Sequence, residues 1–155
     1  MKPTGRVIAQ RLLQLEHGAS SEDLLERILC PENLHQAWLR VKANGGAAGV
    51  DGMTIAQFPA FARQYWQEIR ARLLAGTYHS RRVGMRRVFI PKPNGDLRPL
   101  GIPTVLDRVI QQAIAQWLTP LFDPHFSTHS YGFRHGKRAH QAVRSVQAAA
   151  QAGYT

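Results

Sequence analysis

RVFIPKPNGDLRPLGIPTVLDR, residues 87–108, decides the fold. Two short apolar runs flank Pro93-Asn94-Gly95, and a turn of that kind between β-forming runs predicts a hairpin, here spanning 85–103. Thr104 follows where a helix N-cap belongs, and Asp107 three residues later completes a capping-box-like start. One stretch therefore predicts strand, turn, strand and helix. Lys92 comes just before the turn and Arg98 just after it, so both are expected near the hairpin tip. Arg86, Arg87, Lys92 and Arg98 crowd this ribbon, with only Asp96 to offset them. A guanidinium fork and an ammonium point charge on a stiff ribbon suit a multiply charged anion such as a triphosphate. The same charges also suit an edge strand guarded against aggregation, and the residues alone leave both readings open.

On the C-terminal side, the pairs Val105/Leu106, Val109/Ile110, Ala113/Ile114 and Trp117/Leu118 recur every four residues. They make one continuous apolar face and predict a core helix over 105–119. FDPHFSTHSYGFRHG, residues 122–136, is rich in turn formers and reads as a loop. A last helix is predicted over 137–152, with Ala139, Val143, Val146 and Ala150 on one side. Arg134, Lys137, Arg138 and Arg144 surround Tyr131-Gly132-Phe133. That grouping suits a nucleic-acid contact. It equally suits a loop packed through Phe126, Tyr131 and Phe133 with incidental surface charge.

On the N-terminal side, SSEDLLERIL opens with Ser20 or Ser21 as a cap and acids in its first turn. CPENLHQAWLRVKA places Pro31 at a first helical position. NGGAAGVDGMT, residues 44–54, must be a loop. No Gly-Lys-Ser/Thr follows it and no strand precedes it, so it is neither a Walker loop nor a dinucleotide fingerprint. A helix is predicted over 54–75, capped by Thr54, broken or restarted at Pro59 and stopped near Gly76. Its expected buried face is Phe58, Phe61, Ala62, Tyr65, Ile69 and Leu73.

Charge is distributed unevenly. Residues 1–60 hold six basic and six acidic side chains, whereas residues 61–155 hold fourteen and four, which accounts for the whole net charge of +10. A neutral start followed by a strongly basic remainder points to a polyanion partner. The single cysteine, Cys30, excludes an internal disulfide and reads as structural. No apolar run reaches the length of a membrane span, and the N-terminus lacks a signal-peptide core, so no membrane partner and a cytoplasmic location are expected. His125, His129, His135 and His140 match no metal-finger spacing, and no metal site is expected. No nucleophile pattern surrounds Cys30, so no catalytic residue is assigned.

Taken in order, ENLHQAWLRVKANGGAAGVDGMT, RRVFIPKPNGDLRPLGIPTVLDRVIQQAI and FSTHSYGFRHGKRAHQAV resemble the N-terminal part of reverse transcriptases encoded by bacterial group II introns, the intron maturases. The resemblance covers about residues 20–155. It implies an α+β fold: a helical N-terminal extension with a glycine-rich lid loop over 1–53, and the hairpin-and-helix fingers of a right-hand polymerase over 54–155. By that resemblance Lys92 and Arg98 grip the triphosphate of an incoming dNTP. By the same resemblance Arg86, Arg87, Arg134, Lys137 and Arg138, together with Gly49 and Asp51 of the lid over the template, contact intron or template RNA. His135 departs from the pattern, standing where relatives have proline. In such polymerases, carboxylates of a palm strand and a Tyr-x-Asp-Asp turn hold two Mg2+ ions. Neither lies within these 155 residues, so the chain is expected to bind no Mg2+ and not to polymerise by itself. The reading is a fingers fragment that binds template RNA and dNTP phosphates. The alternative is a non-catalytic RNA-binding or interaction module, or one half of a split reverse transcriptase whose partner would be a separately encoded palm and thumb.

Overall fold

A computed structural model describes residues 21–80 and 86–153. The start of the helical extension, the cap at Ser20, hairpin position 85 and a strand beginning at Tyr154-Thr155 lie outside the described residues. What is described is α+β: α1 Ser21–Ile28, α2 Pro31–Asn44, α3 Phe58–Leu74, β1 Arg86–Pro91, β2 Leu97–Ile102, α4 Val105–Phe122, a 3-10 turn Asp123–His125 and α5 Ala139–Gln151. None of the described helices is long and apolar enough to cross a membrane.

Helix α2 starts because Cys30 takes an extended N-cap conformation and Pro31 occupies the first turn, where a missing N–H breaks no bond. It ends at Gly45, whose φ of 65° carries the chain out of the helix while its N–H bonds Lys42 O. Its buried stripe, at four-residue spacing, is Asn33, Ala37 and Val41. Helix α3 starts four residues later than the sequence pattern suggests. Gln57 Oε1 accepts hydrogen bonds from the Thr54 N–H and hydroxyl, each 2.9 Å, and closes a separate turn over 54–57. Pro59 therefore lies in the first turn of one unbroken helix and not at a restart. Phe58 and Ile69 are buried as expected, but Tyr65 is exposed.

Helix α4 runs three residues past its expected end, with Pro120 in its last turns. Its four-residue apolar repeat buries Val105, Val109, Ala113 and Trp117. Each fully buried large apolar side chain stabilises the fold by about 1.5–3 kcal/mol. Thr104 and Asp107 form the predicted cap: the Asp107 N–H donates to Thr104 Oγ1 at 3.1 Å, and that hydroxyl donates to Asp107 Oδ2 at 2.8 Å.

By packing, the chain forms two units that divide after Trp117. Within the first unit, α2 is tied to α4 across some eighty residues of sequence. The amide of buried Asn33 donates to Ile28 O and Ala113 O, and the Gln116 amide donates to Asn33 O at 2.6 Å and Asn33 Oδ1 at 2.7 Å. The second unit, from Leu118 on, holds the end of α4, the 3-10 turn, a loop and α5. In α5 the predicted apolar side is open: Val143 and Val146 are both exposed. The helix begins at Ala139 and not 137, because Gln141 Oε1 accepts the Arg138 N–H at 2.8 Å and fixes the cap there.

Candidate nucleic-acid interface

The hairpin pairs Arg86 with Ile102, Val88 with Leu100, Ile90 with Arg98 and Pro91 with Leu97. Beyond the last strand pair, the Lys92 N–H donates to Asp96 O at 2.7 Å and the Gly95 N–H donates to Lys92 O at 3.0 Å. Gly95 takes φ of 87°, so the connection is a tight turn followed by a left-handed bulge residue. Asn94 stiffens the tip through Nδ2 to Asp96 Oδ2 at 2.8 Å. Cross-strand partners share a face, and alternate residues along a strand share a face. The register therefore brings Arg86, Lys92 and Arg98 to one face and puts Arg87 on the other. Lys92 and Arg98 are diagonal neighbours, roughly 7–8 Å apart at the backbone by sheet geometry. Lys92 Nζ lies 3.8 Å from Asp96 Oδ2, with both side chains exposed. A surface pair of that kind is worth about 0–1 kcal/mol and leaves the ammonium available.

The glycine-rich loop is held down from α4. Arg108 donates through Nη1 to Gly45 O at 3.2 Å and through Nη2 to Ala47 O at 2.8 Å. Its Nε is buried with no hydrogen-bond partner among the described residues. Gly49 is buried against backbone: a Cβ there would stand 2.7 Å from Thr104 Cα and 2.9 Å from Thr104 N. Only glycine fits, so Gly49 holds the loop on the α4 start and presents nothing outward. Asp51 is exposed, with Oδ1 accepting the Met53 N–H at 3.2 Å.

Asp107 does more than cap. Its Oδ1 accepts the Tyr78 hydroxyl at 2.8 Å and its Oδ2 accepts the Ser80 hydroxyl at 3.0 Å. Burial, and then the Asp107 hydrogen bond and charge, push the Tyr78 phenol well above its ordinary range. The chain entering the hairpin is thus fastened to the helix leaving it. Sequence spacing finds the cap and misses Tyr78 and Ser80, which lie more than twenty-five residues away and match no motif.

In the second unit, Arg134 is turned inward. Nε donates to Asp123 Oδ1 at 2.8 Å and Nη2 to Asp123 O at 2.7 Å, while Nη1 donates to Ser127 O at 2.9 Å and Ser130 O at 3.2 Å. The guanidinium also lies over the Phe126 ring, 5.5 Å from its centroid. The hydrogen bond from Arg134 holds the Asp123 carboxyl below its ordinary range, against a smaller opposing effect of desolvation. Lys137 lies over the Tyr131 ring at 5.1 Å, and Arg138 is exposed at the α5 start. Phe133, the residue before Arg134, takes φ of 56°, the only left-handed non-glycine residue among those described, and its side chain is fully exposed.

The Mg2+ that the resemblance implies for a complete polymerase finds no fitting donor set among the described residues. No three metal-binding side chains converge there. Both oxygens of buried Asp107 accept hydroxyl hydrogen bonds, and Asp123 is bound by Arg134. No metal-assisted step is assigned to these residues.

Residues 90–155 match the family described as reverse transcriptase (RNA-dependent DNA polymerase). Protein YkfC of Escherichia coli (strain K12) is 40% identical over 126 residues, covering 80% of this chain and 32% of that protein. The group II intron-encoded protein LtrA of Lactococcus lactis subsp. cremoris is 32% identical over 125 residues, covering 80% of this chain and 20% of LtrA. The putative COX1/OXI3 intron 1 protein of Saccharomyces cerevisiae is 29% identical over 127 residues, covering 82% and 15%. The chain therefore spans a third or less of the length of these relatives. The hairpin tip, α4 and the loop before α5 all fall within the matched family region, and the chain belongs with the reverse transcriptases of the group II intron-encoded kind.

Proposed function

We propose that this stretch is the fingers part of a group II intron reverse transcriptase, binding template RNA and the triphosphate of an incoming dNTP. The observation that carries this is the hairpin register, which sets Lys92 and Arg98 on one face at the stiff tip, with Arg86 on that same face at the far end of the ribbon. Lys92 and Arg98 are the triphosphate pair, and Arg86 extends the same positive face toward the template backbone. Lys137 and Arg138 add a second basic contact in the other unit. Arg134 and Gly49 serve by shaping their loops and not by touching RNA, because their surroundings within the chain already occupy them. By itself the stretch binds and does not polymerise.

The test is fluorescence anisotropy of the purified chain with a single-stranded RNA over a range of salt. Affinity should fall with salt at a slope of roughly −0.7 per phosphate contact. An affinity flat in salt would overturn the electrostatic reading. Equilibrium dialysis with labelled dTTP should show retention by the chain and its loss in Lys92→Ala/Arg98→Ala. Primer extension on an RNA template with Mg2+ should give no product.

A second reading is favoured by one observation, the exposed Val143 and Val146 on α5. That open stripe suits an apolar protein surface such as a separately encoded palm, making this chain one half of a split enzyme.

A further inference from the structure

The second unit carries three half-open or fully open phenylalanines, Phe122, Phe126 and Phe133, around a groove of about 390 Å³ on the loop between α4 and α5. An aromatic ring wholly in water is costly, and a bulky residue at positive φ is strained as well, on the order of 1–3 kcal/mol. Phe133 carries both burdens. What holds it there is Arg134, whose four hydrogen bonds to Asp123, Ser127 and Ser130 fasten the residue immediately after it. The neighbourhood is cationic. Lys137 is steered over Tyr131, Arg138 is exposed at the start of α5, and Arg144 lies further along that helix. The acid at the groove, Asp123, is already neutralised by Arg134. A purely apolar protein partner would leave these cations to be desolvated. A single strand of RNA supplies flat bases for the ring and phosphates for the cations, the combination found in sequence-tolerant single-strand binding.

We infer that Phe133 is a stacking platform for an unpaired RNA base, with Lys137 and Arg138 taking the flanking phosphates. This rests on the RNA-binding reading above and adds that the groove takes an unpaired base, whatever its identity. The conformation that costs Phe133 strain is what lifts its ring clear of the loop. Arg134 is the positioning residue behind it.

The test is anisotropy of the whole chain with a labelled single-stranded RNA, comparing wild type with Phe133→Ala, Phe133→Leu and Phe133→Trp. Loss of one stacked base is worth about 1–3 kcal/mol, so Phe133→Ala should weaken binding roughly 5- to 150-fold. The salt slope should not change, because the cations that meet phosphate are all still present. Phe133→Leu should be as weak as alanine, whereas Phe133→Trp should restore binding. Thermal melts should coincide, since the side chain touches little. If leucine binds as well as wild type, apolar contact and not stacking is the cause, and the proposal falls. If all four chains bind RNA equally, the proposal falls while the RNA-binding reading stands. If a Phe133 variant only alters self-association in sedimentation, the groove is a protein interface, and the proposal falls. If wild type itself shows no salt-sensitive RNA binding, both readings fall together.

Discussion

The hairpin and the loop before α5 carry similar arginines at similar turns, and the structure gives them opposite surroundings. Arg98 stands exposed on a two-stranded ribbon, and no hydrogen bond or ion pair of its guanidinium is found among the described residues. Arg134 stands beside an irregular loop that folds the carbonyls of Asp123, Ser127 and Ser130 toward it, and it turns inward to donate to all three. Arg108 does the same for Gly45 and Ala47 in the glycine-rich loop. What separates the outward cation from the inward ones is therefore whether the backbone around it curls its carbonyls toward the guanidinium, as the two irregular loops do and the extended ribbon does not.

The largest expected effect of breaking that contrast is on stability at Arg108. Arg108→Ala removes two charge-assisted bonds, one part-buried to Gly45 O and one exposed to Ala47 O, at a cost of about 2 kcal/mol. Urea denaturation should show the loss. Arg108→Lys should recover little of it, since one ammonium cannot reproduce a fork that reaches two carbonyls. A wild-type midpoint for Arg108→Ala would mean that the loop is held by Gly49 packing alone.

Tyr78→Phe should cost less, about 1 kcal/mol, because one buried hydroxyl bond is removed while the ring stays. Its pH signature sharpens the test. The folded phenol holds its proton more tightly than an unfolded one, whose pKa is about 10. Its stabilising contribution is therefore full below that value and is lost as pH rises through the higher folded pKa. Alkaline difference absorbance should show a late-titrating tyrosine step, and that step should be missing in Tyr78→Phe.

The contrast also marks what a sequence can tell. Pro93-Asn94-Gly95 and the four-residue apolar repeat of α4 are local signals, and they predict the hairpin, its tip and the core helix. The Thr104/Asp107 cap is legible for the same reason. The inward duty of Arg134 is not, because its acceptors are mostly backbone carbonyls, which leave no mark in a sequence. Arg134 looks like an RNA contact by resemblance and Gly49 like part of a lid. What the sequence does not reveal is their packing, Gly49 against Thr104 and Arg134 onto the irregular loop around Asp123 and Ser127. Asn33 does leave a trace: it is a polar residue on the stripe it shares with Ala37 and Val41, which signals a buried amide with a partner across the core.

On the outward side, Lys92→Ala/Arg98→Ala should leave stability within about 0.5 kcal/mol of wild type, as exposed substitutions usually do. Retention of labelled dTTP should nevertheless be lost, since these two cations are the pair proposed for the triphosphate, while the salt slope of RNA binding, proposed to rest on Arg86, Lys137 and Arg138, should stay close to that of wild type. A drop in melting temperature comparable to that of Arg108→Ala would show the hairpin cations to be structural after all, and the contrast between the two regions would be wrong.

The smallest effect belongs to Asp96. Its pairing with Lys92 is long, at 3.8 Å, and open to solvent, so Asp96→Asn should shift stability by no more than about 0.5 kcal/mol in either direction. Asparagine keeps an oxygen to accept the Asn94 amide, so the turn should survive. The informative readout is affinity: the substitution removes the one acid that offsets the cations of the tip. Binding of a polyanion should tighten at low salt and converge with wild type at high salt, where a surface charge is screened within about 3 Å at 1 M. Tightening that persisted at high salt would mean that Asp96 shapes the tip and does not merely offset its charge. Lys92 would then depend on Asp96 for its position, and the hairpin would carry a structural ion pair of its own.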